Sequence, residues 1–196
     1  MNEKQKQNYE TELPEGYREV YSIDAKSKKT GLLMNLAALA IGGAIFAVCW
    51  AFIRPTGYLM HIDPVRELIL IGVMLLYTAL HELTHGAAYK LMTGRKLKFG
   101  VSLTAAFCGV PDIYVYRKTA LISLLSPFVV FDIVFLLLTV FITDPWYKID
   151  AALMLSIHVG GCAGDLYDTM LYLFKFKDPS TLMRDTGPKQ TFFVKY

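Results

Sequence analysis

Four long apolar segments, separated by polar stretches, dominate the hydropathy pattern of the chain. The first, residues 31–53, has no charged side chain over 23 positions, enough for a helix to cross a hydrocarbon layer of about 30 Å. The others, residues 68–92, 120–142 and 151–174, each contain ionisable side chains. Because such side chains are costly against lipid, we expect them to face one another. The pattern predicts a mainly α fold, a polytopic membrane bundle of about four transmembrane helices.

The connection between the second and third segments, residues 94–118, lacks a helical pattern. Residues 97–103 alternate between apolar and polar positions, residues 109–112 (Gly-Val-Pro-Asp) favour a turn, and residues 113–116 (Ile-Tyr-Val-Tyr) are β-prone. We therefore expect a β-hairpin-like loop here, with its turn at the Gly-Val-Pro-Asp sequence.

The polar ends of the chain define its expected organisation. Residues 1–30 are polar and mixed in charge, and no short apolar stretch follows the start as in a cleavable signal peptide. The first apolar segment is then expected to act as an uncleaved anchor. The sequence predicts an N-terminal segment (1–30), a membrane domain (31–174) and a C-terminal tail (175–196).

Lysine and arginine residues accumulate in alternate polar stretches. They precede the first segment, fill the connection between the second and third, and follow the fourth. These residues are Lys26, Lys28, Lys29, Arg95, Lys96, Lys98, Arg117, Lys118, Lys175, Lys177, Arg184, Lys189 and Lys195. Since cationic loops stay on the inner side of a membrane, both termini and the 94–118 connection are expected in the cytoplasm.

The composition supports a membrane protein and excludes several other classes. Apolar residues make up 54% of the chain and charged residues 19%, against about 45–50% and 25% in soluble domains. The net charge of +3 is too small to indicate a nucleic-acid partner. Three cysteines, Cys49, Cys108 and Cys162, form no ligand-like spacing, so we expect reduced thiols without a disulfide framework.

The second segment contains the motif His81-Glu82-Leu83-Thr84-His85 about two turns before its end. Residues four apart lie on one face of a helix, so both imidazoles can reach a single metal ion. The carboxylate of Glu82 can take a proton from a water beside that ion. A hydrogen-bonded polar patch between helices is the alternative interpretation, but ionisable groups inside a membrane usually mark a functional site.

A catalytic zinc usually has three protein ligands and a fourth position for water, so a third ligand is expected from another helix. His85 lies about eight residues before the inner end of its segment, and Asp165 about nine before the inner end of the fourth. At about 1.5 Å per residue the two depths agree within a few ångströms. Asp168, one turn deeper, is an alternative ligand. The aspartate that is not a ligand is expected to orient a ligand histidine or to make another polar contact.

Two further polar residues of the fourth segment are weaker candidates. His158 lies roughly 10 Å further out than Asp165, where a hydrogen-bonded residue between helices is the expected role. Cys162 is expected to be a small packing residue, although it shares a helix face with His158 and Asp165. A contact of Cys162 or His158 with a ligand remains open.

Three other features concern the packing of the helices. Asp132 lies near the middle of the third segment, where a hydrogen bond to a serine or threonine is expected. Ser126-Pro127 predicts a local kink whose freed carbonyls need new partners. The small residues 160–164 are expected to let the second and fourth segments approach closely.

The combination of HELTHG at the inner end of a span, a β-prone loop, a Ser-Pro-Phe helix and a Gly-Asp pair in a later span resembles the bacterial putative zincin peptidase family. The resemblance covers about residues 66–174. That family is similar in layout to the site-2 protease superfamily, whose aspartate ligand lies in Asn-Pro-Asp-Gly or Leu-Asp-Gly rather than the Ala-Gly-Asp-Leu found here. The resemblance implies a bacterial plasma-membrane protein with Zn²⁺ bound by His81, His85 and Asp165, and with Glu82 as general base.

The expected function is that of an intramembrane zinc metalloprotease. It would cleave membrane proteins or membrane-near peptides close to the cytoplasmic face, with the lipid bilayer as its surroundings. The alternative is a non-proteolytic membrane protein, either an inactive protease relative that binds client proteins or a metal-binding protein. Two histidines and a carboxylate also suit iron(II), so the residues alone leave the metal open.

Overall fold

A computed structural model of the protein describes residues 8–53, 63–101 and 106–196. Most of these residues are helical. The helices are α1 (Lys28–Ile53), α2 (Pro64–Thr93), α3 (Arg117–Phe141), α4 (Pro145–Gly161) and α5 (Ala163–Met170), which a π-helical turn (Leu171–Lys175) extends. The strands are β1 (Tyr9–Glu10), β2 (Tyr17–Asp24), β3 (Lys98–Val101), β4 (Ala106–Gly109), β5 (Tyr114–Tyr116), β6 (Leu182–Asp185) and β7 (Lys189–Lys195).

Three helices, α1, α2 and α3, are long and apolar enough to cross a membrane. They coincide with the first three predicted segments to within a few residues at each end, so the prediction of a long apolar helix at each segment is confirmed. The fourth segment is not one straight helix, because α4 and α5 meet at an angle of 42°. The two together could form a fourth, bent span. The break falls at Cys162, where ψ of 4° leaves the helical range.

The long helices begin and end at residues suited to those positions. The Asp63 carboxylate accepts a hydrogen bond from the Val65 amide, and Pro64 occupies the first turn. Gly94 ends α2 with a positive φ of 67°, which costs a residue without a side chain little. Asp144 and Pro145 repeat the same start at α4.

A five-stranded sheet in the order β1-β5-β6-β7-β2 was not predicted. It joins the two chain ends, since β2 pairs antiparallel with β7 in a register that sets Tyr17 opposite Lys195. The predicted N-terminal segment and C-terminal tail therefore pack together. Their cytoplasmic location stays a prediction.

The loop between α2 and α3 contains a hairpin, but its second strand is not the predicted one. Strand β3 pairs antiparallel with β4, and their connection, residues 102–105, lies outside the described residues. The turn at Gly-Val-Pro-Asp is present, with the Ile113 amide bonded to the Val110 carbonyl at 3.3 Å. It does not close the hairpin, because β5 pairs with β1 and β6 instead of β3. Burial explains the difference, because Ile113 and Val115 are almost fully buried in the core between the five-stranded sheet and the helices.

One hydrophobic core fixes this sheet against the ends of the helices. It combines strand residues such as Val115, Met183 and Phe192 with helix residues such as Tyr89 and Leu124. Burial of this apolar surface is the main force holding the sheet in place. The sheet consequently lies beside the end of α2 that carries the two histidines.

Candidate metal centre

The two histidines of α2 and one aspartate of α5 converge in the interior. His81 and His85 are one turn apart and buried, with 8% and 7% of their surface exposed. The Nε2 atom of His81 lies 3.5 Å from Asp165 Oδ2, and that of His85 lies 3.4 Å from the same oxygen. Asp165 lies in the first turn of α5, directly after the bend between α4 and α5. The bend therefore sets the direction of the helix that carries this carboxylate.

These separations fit a tetrahedral zinc site. Zinc bonds of about 2.0–2.2 Å to nitrogen and oxygen require ligand atoms about 3.4 Å apart. One ligand atom from each of His81, His85 and Asp165 lies within 4.8 Å of the others. Two imidazoles and one carboxylate are also a donor set found in catalytic zinc centres, which leave one position open.

Pro127 holds one of the two imidazoles in place. A proline has no amide hydrogen, so the carbonyl four residues earlier, that of Ser123, has no proline amide to bond within α3. The Ser123 carbonyl accepts a hydrogen bond from His85 Nδ1 at 2.9 Å. Because a carbonyl can only accept, Nδ1 carries a proton, and in neutral His85 the Nε2 lone pair faces Asp165. This is the partner that the predicted Ser126-Pro127 kink required.

The other imidazole is held by a tyrosine that the sequence patterns did not single out. Tyr77 lies one turn before His81, and its hydroxyl is 3.2 Å from His81 Nδ1 and 2.7 Å from His158 Nδ1. His158, fully buried, points its Nε2 at the Phe128 carbonyl, 3.3 Å away. The spacing of four from His81 was the signal that could have revealed Tyr77.

Contrary to the prediction, Asp132 bonds no serine or threonine among the described residues. Its Oδ1 atom lies 3.4 Å from His158 Nε2, an ion-pair distance without hydrogen-bond geometry. Asp132 therefore belongs to the polar cluster that surrounds the two metal-facing histidines. The reason lies in the packing of α3 against α4, which local sequence does not encode.

Glu82 lies on the same cavity as the three converging side chains. The cavity has a volume of about 180 Å³, and both α2 and the β3–β4 hairpin contribute to its wall. Cys108 of β4 lines this cavity together with Glu82, so the carboxylate lies at the edge of the site next to the hairpin.

The five-stranded sheet supplies a further carboxylate to this cavity. Asp185, at the end of β6, accepts hydrogen bonds from the Tyr89 hydroxyl at 2.7 Å and the Gly187 amide at 2.8 Å. Burial raises the pKa of Asp185 to about 6, although these two hydrogen bonds act in the opposite direction. Sequence patterns offered no signal for Asp185, because a strand from the chain end brings it to the site.

The remaining predicted candidates lie nearby in different settings. Asp168 is buried and lines the cavity, yet its Oδ1 has no hydrogen-bond partner in the described structure and it joins neither metal-ligand group. Cys162 is fully buried, with Sγ 3.7 Å from His158 Nδ1. Cys162, His158 and His81 form a second group with ligand atoms within 4.8 Å of one another.

The small residues before Asp165 had been expected to let α2 and α4 approach closely. The structure shows a different close approach at these residues. A Cβ atom at Gly160 would lie 2.4 Å from the Ala38 carbonyl oxygen, and one at Gly42 would lie 2.8 Å from the Ser156 carbonyl oxygen. The close approach is therefore between α1 and α4. It fixes the helix that leads into the bend before Asp165.

Comparison with known proteins identifies a family for the chain. The family described as "Putative zincin peptidase" matches residues 74–180, which include the two histidines, Glu82 and Asp165. The match covers more than half of the chain, so the chain belongs to this family. No curated protein and no solved structure matches the chain.

Proposed function

We propose that this member of the putative zincin peptidase family is an intramembrane zinc metalloprotease. The main support for this proposal is the convergence of His81 Nε2 and His85 Nε2 on Asp165 Oδ2, at 3.5 and 3.4 Å. In the proposal these three side chains hold Zn²⁺ and Glu82 is the general base. Family membership supports a metallopeptidase role.

The proposed chemistry is hydrolysis of a peptide bond. Zinc, when bound, polarises the scissile carbonyl and lowers the pKa of water toward neutrality. The Glu82 carboxylate takes the proton of the attacking water and passes it to the leaving amine. The Ser123 carbonyl keeps the proton of His85 on Nδ1, away from the reacting groups.

A second cavity supports a substrate that comes from the membrane. This groove, of about 330 Å³, is lined by Asn35 and Ala38 of α1 and reaches His81 and Glu82 of α2. Both helices are long and apolar enough to lie in lipid. A membrane-embedded segment could pass between them to the proposed site, and small lining residues such as Ala38 and Gly161 leave room for it.

Strand β4 supports binding of the substrate in an extended form. A helical substrate hides its carbonyls in its own hydrogen bonds, so it must unwind before cleavage. In the part of the chain that the structure describes, β4 pairs only with β3, and Ala106 and Phe107 line the cavity. An unwound segment can add to this strand through backbone hydrogen bonds.

The cytoplasmic location of the site and the likeness to site-2 proteases are also proposals. The cationic stretches beside the spans favour an inner position for the end of α2 that carries the histidines. Two histidines from one helix and an aspartate from a later helix is the ligand order that the resemblance to site-2 proteases implies.

The test is cleavage by purified protein with and without the Glu82 carboxylate. Glu82→Gln should retain about one zinc per chain and cleave a proteome-derived peptide library at least about 100-fold more slowly. Glu67→Gln, about four turns earlier on α2, is the matched control and should cleave at the wild-type rate. Cleavage by Glu82→Gln at the wild-type rate would refute the mechanism. A wild-type protein that holds zinc but cleaves nothing would favour the non-proteolytic alternative.

A further inference from the structure

The Tyr77 hydroxyl occupies the space between two imidazoles. It lies 3.2 Å from His81 Nδ1 and 2.7 Å from His158 Nδ1, and the residue is 9% exposed. The ring makes T-shaped contacts with Phe131 and Phe135, at centroid separations of 5.2 and 5.3 Å. The hydroxyl therefore has a fixed position and two fixed partners.

The direction of each hydrogen bond follows from a backbone carbonyl. The Phe128 carbonyl can only accept, so neutral His158 carries its proton on Nε2 and leaves Nδ1 as an acceptor. Tyr77 must then donate its hydroxyl hydrogen to His158 Nδ1. The Tyr77 oxygen is left to accept a hydrogen bond from His81 Nδ1. In neutral His81 the Nε2 lone pair is consequently free and points at Asp165.

His81 is shared by two groups of side chains that could each hold a metal ion. The first is His81, His85 and Asp165, and the second is His81, His158 and Cys162. In the second group, Cys162 Sγ and His158 Nδ1 are 3.7 Å apart. Zinc bonded to one sulfur and one nitrogen requires about 3.6 Å between them. The second group thus has a suitable geometry and a softer, thiol-containing donor set.

We propose that Tyr77 is a positioning residue that directs the metal to the first group and keeps it out of the second. Its hydroxyl engages the His158 nitrogen that the second group would need and fixes the proton of His81 on the side facing away from Asp165. Without the hydroxyl, His158 Nδ1 is free, and a small rotation of the His81 ring brings the second group within reach of a metal. The inference rests on the metal site of the proposed function, but not on peptide cleavage.

Tyr77→Phe tests the inference because it removes one oxygen and keeps the ring contacts with Phe131 and Phe135. We expect a zinc Kd at least about 10-fold higher in chelator competition, the effect usual for a lost partner of a ligand histidine. Thr78→Val is the matched control. It removes the hydroxyl of the next residue, which donates to the Met74 carbonyl of the same helix. Its zinc Kd should remain within about 2-fold of wild type.

Cobalt(II) substitution gives the deciding readout, because a thiolate ligand produces a charge-transfer absorption. The Tyr77→Phe protein should show this band, and wild type and Tyr77→Phe/Cys162→Ala should not. Weaker zinc binding without the band would mean that Tyr77 only stabilises the fold, and would contradict the proposal.

Cys162→Ala in the otherwise unchanged protein tests the same inference without altering Tyr77. Zinc affinity should be unchanged, since the metal lies at the first group. A fall in affinity would place the metal at the second group and overturn the proposal. If the metal-binding results are as expected but the wild-type protein cleaves no peptide, the proposed function would be overturned and the inference about Tyr77 would stand.

Discussion

Pro127 and His85 are linked through one carbonyl, that of Ser123, which accepts the hydrogen bond from His85 Nδ1 at 2.9 Å. Pro127 lies four residues after Ser123 inside α3 and provides no amide hydrogen to compete for that oxygen. A residue that interrupts the hydrogen bonding of one helix thereby orients a proposed metal ligand on another.

Replacing Pro127 by alanine should weaken metal binding. The new amide hydrogen would bond the Ser123 carbonyl and compete with His85 Nδ1. We expect the zinc Kd to rise about 10-fold in chelator competition. Pro145→Ala is the matched control, because Pro145 occupies the first turn of α4, where no helical carbonyl precedes it. Equal affinities for the two variants would show that the freed carbonyl does not matter.

Asp165 and Asp168 should differ in their effect on metal content. Asp165→Ala removes the oxygen that lies within 3.5 Å of both imidazoles, so the purified protein should lose most of its zinc. Asp168→Asn should retain about one zinc per chain, because Asp168 joins no metal-ligand group among the described residues. Elemental analysis of detergent-purified protein measures both. The reverse result would move the third ligand one turn along α5.

The pKa of Asp185 predicts a pH dependence of stability. Burial raises this pKa from 3.8 to about 6, so between these values the folded chain holds a proton that the unfolded chain has lost. The free energy of unfolding should therefore fall as pH rises from about 4 to 6, by about 1–3 kcal/mol from this group, and stay level above.

Asp185→Asn should flatten this slope, since the amide can still accept from the Tyr89 hydroxyl. Thermal unfolding in detergent at pH 4.5 and pH 7 measures the difference between variant and wild type. The control is Asp112→Asn, an exposed carboxylate, which should leave the slope unchanged. A slope that is the same in wild type and Asp185→Asn would assign the pH dependence to other groups.

Gly160 and Gly161 should respond differently to alanine. A Cβ atom at Gly160 would lie 2.4 Å from the Ala38 carbonyl oxygen of α1, whereas one at Gly161 meets nothing within 4 Å. Gly160→Ala should lower the free energy of unfolding by about 1–3 kcal/mol through overpacking. Gly161→Ala should change it by less than about 1 kcal/mol. Equal stabilities in thermal unfolding would mean that α1 and α4 do not pack closely.

The sequence alone predicted the features that depend on residues near one another in the chain. The first three long helices follow from long, mainly apolar runs, because a helix satisfies its backbone hydrogen bonds within itself in lipid. The grouping of His81, Glu82 and His85 follows from helical spacing, and the freed carbonyl follows from Pro127. Their roles in metal binding and catalysis stay predictions until zinc and cleavage are measured.

Tertiary structure decided the features that depend on distant residues. It brings Asp165 rather than Asp168 to the histidines, sets Tyr77 against His158, pairs β2 with β7 and carries Asp185 to the cavity. Strands of two to four residues, such as β1, β5 and β6, are too short to show a period. Their partners lie far along the chain, so only burial in a common core selects the pairing, and local sequence does not contain that information.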